Sequence, residues 1–311
     1  MKKKITIILA LVLCACTALF TFGCNGSTSF TKGLTYELNA SKDGYIVTGL
    51  GEATDKDIII PEKYESLPVV EIGEKAFANT QIYSVKFPSN VKKIGEKAFA
   101  FCDYLESPTL PDSITDIGMY AFYHCTYIES IKIPKNIKTI KWQAFAFCNN
   151  LKSIVLNNEL VEIEYGAFSA CHALTSISFP KKVTTIGEKA FAYCKNLNSF
   201  SIPSNIKTIG KEAFMDCEQL VSVKFSEGLT SLGEQAFYNC YLFTVDLPIS
   251  LTYIGKKCFY HNDKLSAVTF GNTNNWMQGT KAVPAEYLVD AADACSYFTS
   301  SNSKNAWSKS V

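Results

Sequence analysis

The 311-residue chain has almost no excess of charge, because 30 basic side chains face 29 acidic ones for a formal net charge of +1. That balance gives no general attraction to nucleic acid or to anionic lipid, and neither a basic arm nor an acidic tail is present. Histidine is scarce: His124, His172 and His261 are the three, each in a different part of the chain. With no Cys-x-x-Cys pair and no converging Cys/His cluster, no metal or other cofactor is expected. The G-x-S-x-G, H-E-x-x-H and P-loop patterns are missing, and the carboxylates are scattered, not paired. The chain is therefore not expected to be an enzyme.

Hydrophobic residues make up 47% of the chain, enough for a large core. The first two dozen residues form a separate device. "MKKK" supplies a positive start and "ITIILALVLCACTALF" an apolar run suited to an export signal. "TFGC" places Gly23 before Cys24 and resembles the lipobox of bacterial lipoproteins, although Thr21 and Phe22 depart from its commonest form. The resemblance implies a signal peptide over residues 1–23 and lipid attachment at Cys24, with the protein anchored outside the cytoplasm. Cleavage as an ordinary signal peptide, with a secreted product, is the alternative, and "LCAC" ending at Cys16 is a rival site. Residues 24–33 read as a flexible tether.

From residue 34 onward a single domain is expected, and it is periodic. Phe77, Phe99, Phe122, Phe145, Phe168, Phe191, Phe214, Phe237 and Phe259 follow one another at steps of 22 or 23 residues. Further apolar columns keep the same step, such as Ile72, Ile94, Ile117, Ile140, Ile163, Ile186, Ile209, Leu232 and Ile254. A unit this short cannot bury its apolar face alone, so neighbouring units must stack as coils of a solenoid. "SVKF" and "SIKI" alternate as short half-buried strands, and a Pro such as Pro88 or Pro134 ends the strand. "VTTIG" predicts a second extended piece with Gly at a corner, and "EKAFAYC" one or two helical turns. Stacked coils would place the nine Phe rings in one internal column.

The repeated "IGxxAFxxCxxL" unit over residues 55–270 resembles the leucine-rich repeat of BspA-like bacterial surface proteins. The resemblance implies a right-handed leucine-rich solenoid, surface display, and binding of proteins or extracellular matrix with no chemistry. Both ends of such a rod need caps. "LTYELNASKDGYIVTGLG", within residues 34–54, predicts a hairpin cap. Residues 271–311 predict a loop and one helix starting near Pro284, with Trp276, Leu288, Phe298 and Trp307 covering the last coil.

Twelve Cys in an exported protein would ordinarily suggest disulfides. Here Cys102, Cys125, Cys148, Cys171, Cys194, Cys217 and Cys240 each stand three residues after a core Phe, one thiol per coil, with parallel Cβ vectors unsuited to bridging. They read as a buried structural ladder of small hydrophobes. Pairing of Cys258 with Cys295 stays open. The column Ser84, Ser107, Ser130, Ser153, Ser176, Ser199 and Ser222 reads as hydroxyls serving backbone groups at a corner, not as a reactive row.

Partner contacts are sought where the exterior breaks the repeat. The two positions after the corner are charged in several coils, as in Glu96–Lys97 and Glu188–Lys189. In three consecutive coils they become Met119–Tyr120, Trp142–Gln143 and Tyr165–Gly166, and in two of these the corner Gly is replaced by Lys141 and Glu164. Tyr104 and Tyr127 form a second row after the Cys ladder. Trp, Tyr and Met are enriched at interface centres, so Met119, Tyr120, Trp142, Tyr165, Tyr104 and Tyr127 are the candidate patch for a protein or matrix ligand. The competing reading has Trp142 folded over its own corner as packing. The leading expectation is a cell-surface binding or adhesion module. A surface-coat spacer without ligand is the alternative, and a hydrolase of surface polymers a distant third.

Overall fold

The computed structural model describes residues 29–299 and 304–310. The export signal, Cys24 and the first part of the tether lie outside the described residues. Most coils contribute two short strands and a turn; residues 107–110 and 176–179 form no first-ladder strand. The first ladder uses the Ser-led strands, in parallel and in register: Asp57–Ile59 with Ser84–Lys86, Ser130–Lys132 with Ser153–Val155, Ser199–Ile202 with Ser222–Phe225, and Thr244–Leu247 with Ala267–Phe270. One break falls at Pro108, which has no N–H and stands where the neighbouring coils carry Val85 and Ile131. There the Ser107 hydroxyl accepts the N–H groups of Glu129 and Ser130 at 3.1 and 2.9 Å, the corner service expected of this column.

The second ladder is built from two-residue strands, with Ile94, Ile117, Ile140, Ile163, Ile186, Ile209, Leu232 and Ile254 pointing inward and buried. Lys93–Ile94 pairs with Asp116–Ile117, and a longer parallel run extends from Thr139–Ile140 to Tyr253–Ile254. Glycine at the corner is a steric demand. A Cβ on Gly118 would lie 2.6 Å from the backbone of Gly95 and Glu96, so successive corners touch main chain to main chain.

The third side corrects the expected helical turns. The "EKAFAYC" segments are not helical but are tight turns that alternate two kinds of hydrogen bond. Ala98, Ala100 and Cys102 donate within their coil to Gly95, Lys97 and Phe99, while Lys97, Phe99 and Phe101 donate to Met119, Ala121 and Tyr123 of the next coil at 2.8–3.0 Å. A helix would spend every N–H inside its own coil and leave the stacking edge unpaired. The geometry needs two left-handed residues per coil, such as Lys97 and Phe101 with φ of 54° and 60°. Each costs about 1–2 kcal/mol for a residue with a Cβ, and the inter-coil bonds and the buried Phe beneath offset it.

The nine Phe side chains are fully buried. Their rings stack at 5.1–5.7 Å between centroids and within 16° of parallel from Phe77 to Phe259. At the far end Phe298 closes the column edge-on against Phe259 at 5.6 Å. At the front, the strands Thr35–Leu38 and Tyr45–Gly49 form an antiparallel hairpin, and the second of them pairs with Leu67–Ile72 of the first coil.

The C-terminal cap differs from the loop and single helix expected. Trp276–Gln278, Lys281–Ala282 and Trp307–Lys309 form strands, and the last pairs antiparallel with Tyr253–Ile254, so it covers the edge of the second ladder. Two short helices, Glu286–Val289 and Ala291–Thr299, lie between them. Trp276, Leu288, Phe298 and Trp307 are buried.

The nine described cysteines are all free and buried. Each ladder thiol donates to the carbonyl of the Phe in the preceding coil, from Cys102 to Phe77 O at 2.9 Å through Cys240 to Phe214 O at 3.2 Å. The ladder is therefore more than apolar filling, since each sulfur satisfies a buried acceptor. Where the column ends, Thr80 donates to Phe77 O of its own coil at 2.6 Å, and Asn262 takes over the inter-coil bond with a stronger donor, at 2.8 Å to Phe237 O. Burial pushes the Cys148 and Cys194 thiols from their ordinary value of 9 up to about 12. Two outcomes are expected. The ladder thiols should stay inert to a disulfide reagent at pH 8 until denaturant is added, because the thiolate is the nucleophile. Stability should be intact below pH 9 and fall as the pH rises from 9 toward 12, because the unfolded chain releases protons that the folded ladder retains. A thermal-midpoint series against pH checks the second.

Candidate binding surface

The outward positions of the turn side are filled by the residues flanking each buried Ala-Phe pair, so a run of aromatic side chains along the sequence becomes a contiguous surface. Of the six candidates, Met119, Trp142, Tyr104 and Tyr127 are exposed, while Tyr120 and Tyr165 are half-buried. Trp142 does not fold over its corner. It is 42% exposed, and its indole stacks on Tyr165 of the next coil at 4.4 Å. Its backbone N–H donates to the Glu164 carboxylate at 2.8 Å, so the residue that replaces a corner Gly holds the Trp-bearing loop. Lys141, the other replacement, pairs with Asp116. Lys189 caps the aromatic pair from beyond, 5.7 Å over the Tyr165 ring and 3.2 Å from the Glu212 carboxylate.

Tyr104 and Tyr127 come together at 5.7 Å, and Tyr83 extends the row at 6.0 Å from Tyr104. Among the described residues no ring contact joins this row to Trp142. The two groups lie at opposite ends of the turn side, and the residues between them were missed by the sequence reading. Phe101, Tyr123 and Phe147 step across three coils at 5.3 Å each, with His124 beside Phe101 and Tyr120 against Tyr123. His124 Nδ1 lies 2.9 Å from the Asp103 carboxylate. The signal was present one and two positions after the core Phe, where Tyr123 stands between Ala100 and Ala146 and the next column carries Phe101, His124 and Phe147 in successive coils.

Beside the Trp142–Tyr165 pair the surface is notched. Gly166 and Ala170 are small where the neighbouring coils carry Gln143 and Lys189, Phe147 and Tyr193, and with Ser169 they floor a cavity of about 430 Å³. Among the described residues no group of three or more His, Cys, Asp or Glu side chains could hold a metal ion. The arrangement offers apolar ring faces with a thin polar rim, which suits recognition.

Parallel strands in register, a Phe column and one corner per coil define a leucine-rich repeat solenoid. The family model described as BspA type leucine rich repeat region matches residues 70–198 and 184–280 in six copies, and the chain belongs to that family. Among solved structures, a leucine-rich repeat protein of T. pallidum is 30% identical, with 68% of this chain and 87% of that chain covered and a TM-score of 0.48. A leucine-rich repeat protein from Bacteroides ovatus is 23% identical, covering 78% and 88% with a TM-score of 0.46. A leucine rich cell surface protein from Faecalibacterium prausnitzii is 23% identical, covering 80% and 56% with a TM-score of 0.44. No curated protein matches the chain.

Proposed function

We propose that this protein is a non-enzymatic binding module displayed at the cell surface, held there by a lipid on Cys24, and that its turn side receives a partner macromolecule. The observation that supports this reading is the exposed Trp142 stacked on a half-buried Tyr165, standing where other coils carry charged side chains. Exposed aromatic rings already held by stacking lose little side-chain freedom on binding, which is the property of an interface hot spot. The expected partner is a protein or an extracellular-matrix component; the neutral net charge and the absence of a basic stripe argue against nucleic acid.

The double variant Trp142→Ala, Tyr165→Ala should weaken binding to immobilised matrix and mucosal proteins by at least about tenfold. Its thermal midpoint should move by only a few degrees, since both rings lie outside the Phe column. Retained binding in a folded double variant would instead favour a surface-coat spacer with no preferred patch.

A further inference from the structure

We infer that the notch floored by Gly166, Ser169 and Ala170 is a site for one uncharged sugar ring, the terminal residue of a glycan. The inference rests on the proposed binding role of the turn side and names the chemistry that this part of the surface would accept.

The notch arises from a single column. Phe101, His124, Phe147, Ala170 and Tyr193 occupy equivalent positions in successive coils, all left-handed with φ between 57° and 62°. Their register is set by the backbone ladder, in which Phe147 N donates to Ser169 O and Ala170 N to Ala192 O. Ala170 is thus a missing ring in an aromatic row. Phe147 and Tyr193 flank the gap two coils apart, roughly 10 Å on the strand repeat. A six-membered ring stacked on either wall at a carbon–carbon contact of about 3.5–4.0 Å fits within that spacing. Tyr193 is 39% exposed and makes no ring contact among the described residues, so its face is open for stacking.

The rim selects the occupant. The Gln143 Oε1 accepts the Trp142 indole N–H at 3.3 Å, whereas its amide NH2 has no partner among the described residues. The His172 side chain also lines the notch without a hydrogen-bond partner there. Burial and nearby Lys195 hold His172 below the ordinary histidine range, which keeps its ring neutral at pH 7. Lys189 is already paired with Glu212, so no free charge is offered. An apolar side chain of a partner protein would cover the Gln143 and His172 groups and leave them unsatisfied, at about 1–3 kcal/mol each. Sugar hydroxyls would hydrogen-bond them, while the C–H face of the ring meets the aromatic walls. An anionic sugar would find no free positive charge to receive it. The volume of about 430 Å³ falls within the range of small-ligand sites.

The decisive variant is Ala170→Tyr, which restores the missing ring. The backbone accepts an aromatic residue there, because Phe147 and Tyr193 adopt the same conformation. The full chain would be tested against a surface-immobilised panel of neutral oligosaccharides ending in hexose or N-acetylhexosamine, with their sialylated counterparts alongside. Wild-type binding to at least one neutral terminus, weakened at least tenfold by Ala170→Tyr and less than threefold by Lys152→Ala on an exposed ion pair away from the notch, is the expected result. No binding to any neutral member, preference for the sialylated set, or equal binding by Ala170→Tyr would each overturn the assignment. Ala170→Tyr losing a protein partner whose glycans have been enzymatically removed would assign the notch to a protein side chain and overturn it as well. Failure on the sugar panel with the Trp142→Ala, Tyr165→Ala effect on macromolecules intact would leave the binding module standing and remove the sugar site alone.

Discussion

Phe168→Ala should destabilise the protein by about 3–5 kcal/mol, the range for deleting a fully buried aromatic ring. Phe168 is the middle ring of the column, completely buried and stacked on Phe145 at 5.5 Å and Phe191 at 5.4 Å. Its neighbours are held on both sides by inter-coil hydrogen bonds and cannot collapse into the space. In a solenoid, stability is the sum of each coil and the interfaces to its two neighbours, so a cavity at the centre weakens both interfaces at once. Urea denaturation should show a lower midpoint together with a shallower slope as the two halves uncouple. Lys152→Ala, on an exposed ion pair with Glu129, should stay within about 0.5 kcal/mol of the parent and serves as the control. A Phe168→Ala midpoint matching that control would mean the column does not hold the rod together.

The second large effect is expected at the cap, where Trp307→Ala should cost about 3–5 kcal/mol. Trp307 is 1% exposed and stacks on Phe298 at 5.0 Å and Phe270 at 6.0 Å, while its strand pairs with Tyr253–Ile254. Removing it reopens the apolar cross-section that a solenoid must close. Trp307→Phe should cost less than about 1.5 kcal/mol, because the volume is largely kept. The buried indole N–H of Trp307 also has no hydrogen-bond partner among the described residues, so none of their bonds is broken by that change. Trp276 supplies the contrast, since its Nε1–H donates to Asn272 O at 2.8 Å and Trp276→Phe should be the more costly of the two. Thermal unfolding of the three variants orders them.

The solenoid was legible because its information is periodic. A Phe every 22 or 23 residues, with Ile and Cys at constant offsets, admits one packing in which each column is continuous. The turn side was misread for a physical reason. Ala, Glu and Lys favour helix locally, but a helix has no N–H to spare for the next coil, and the ladder of bonds from Phe99 to Ala121 and its equivalents outweighs that preference. The cap was only partly legible, because strand pairing between Trp307–Lys309 and Tyr253–Ile254 joins segments far apart in sequence with no repeat to align them. On the candidate surface, Trp142 and Tyr165 stood out in the sequence because they break a charged column. Phe101, Tyr123 and Phe147 were passed over because aromatic residues beside a core Phe look like more core.

The order of residues alone settled that this chain stacks coils, which side chains form the spine, and that its thiols stand in file, because a repeated pattern reports on every copy of itself. Folding in three dimensions decided what the exterior presents. A missing ring at Ala170, the Gln143 amide and His172 ring brought to one notch, and a Trp laid on a Tyr in the next coil are relations between residues about 23 positions apart or more. They exist only once the ladder sets those residues side by side.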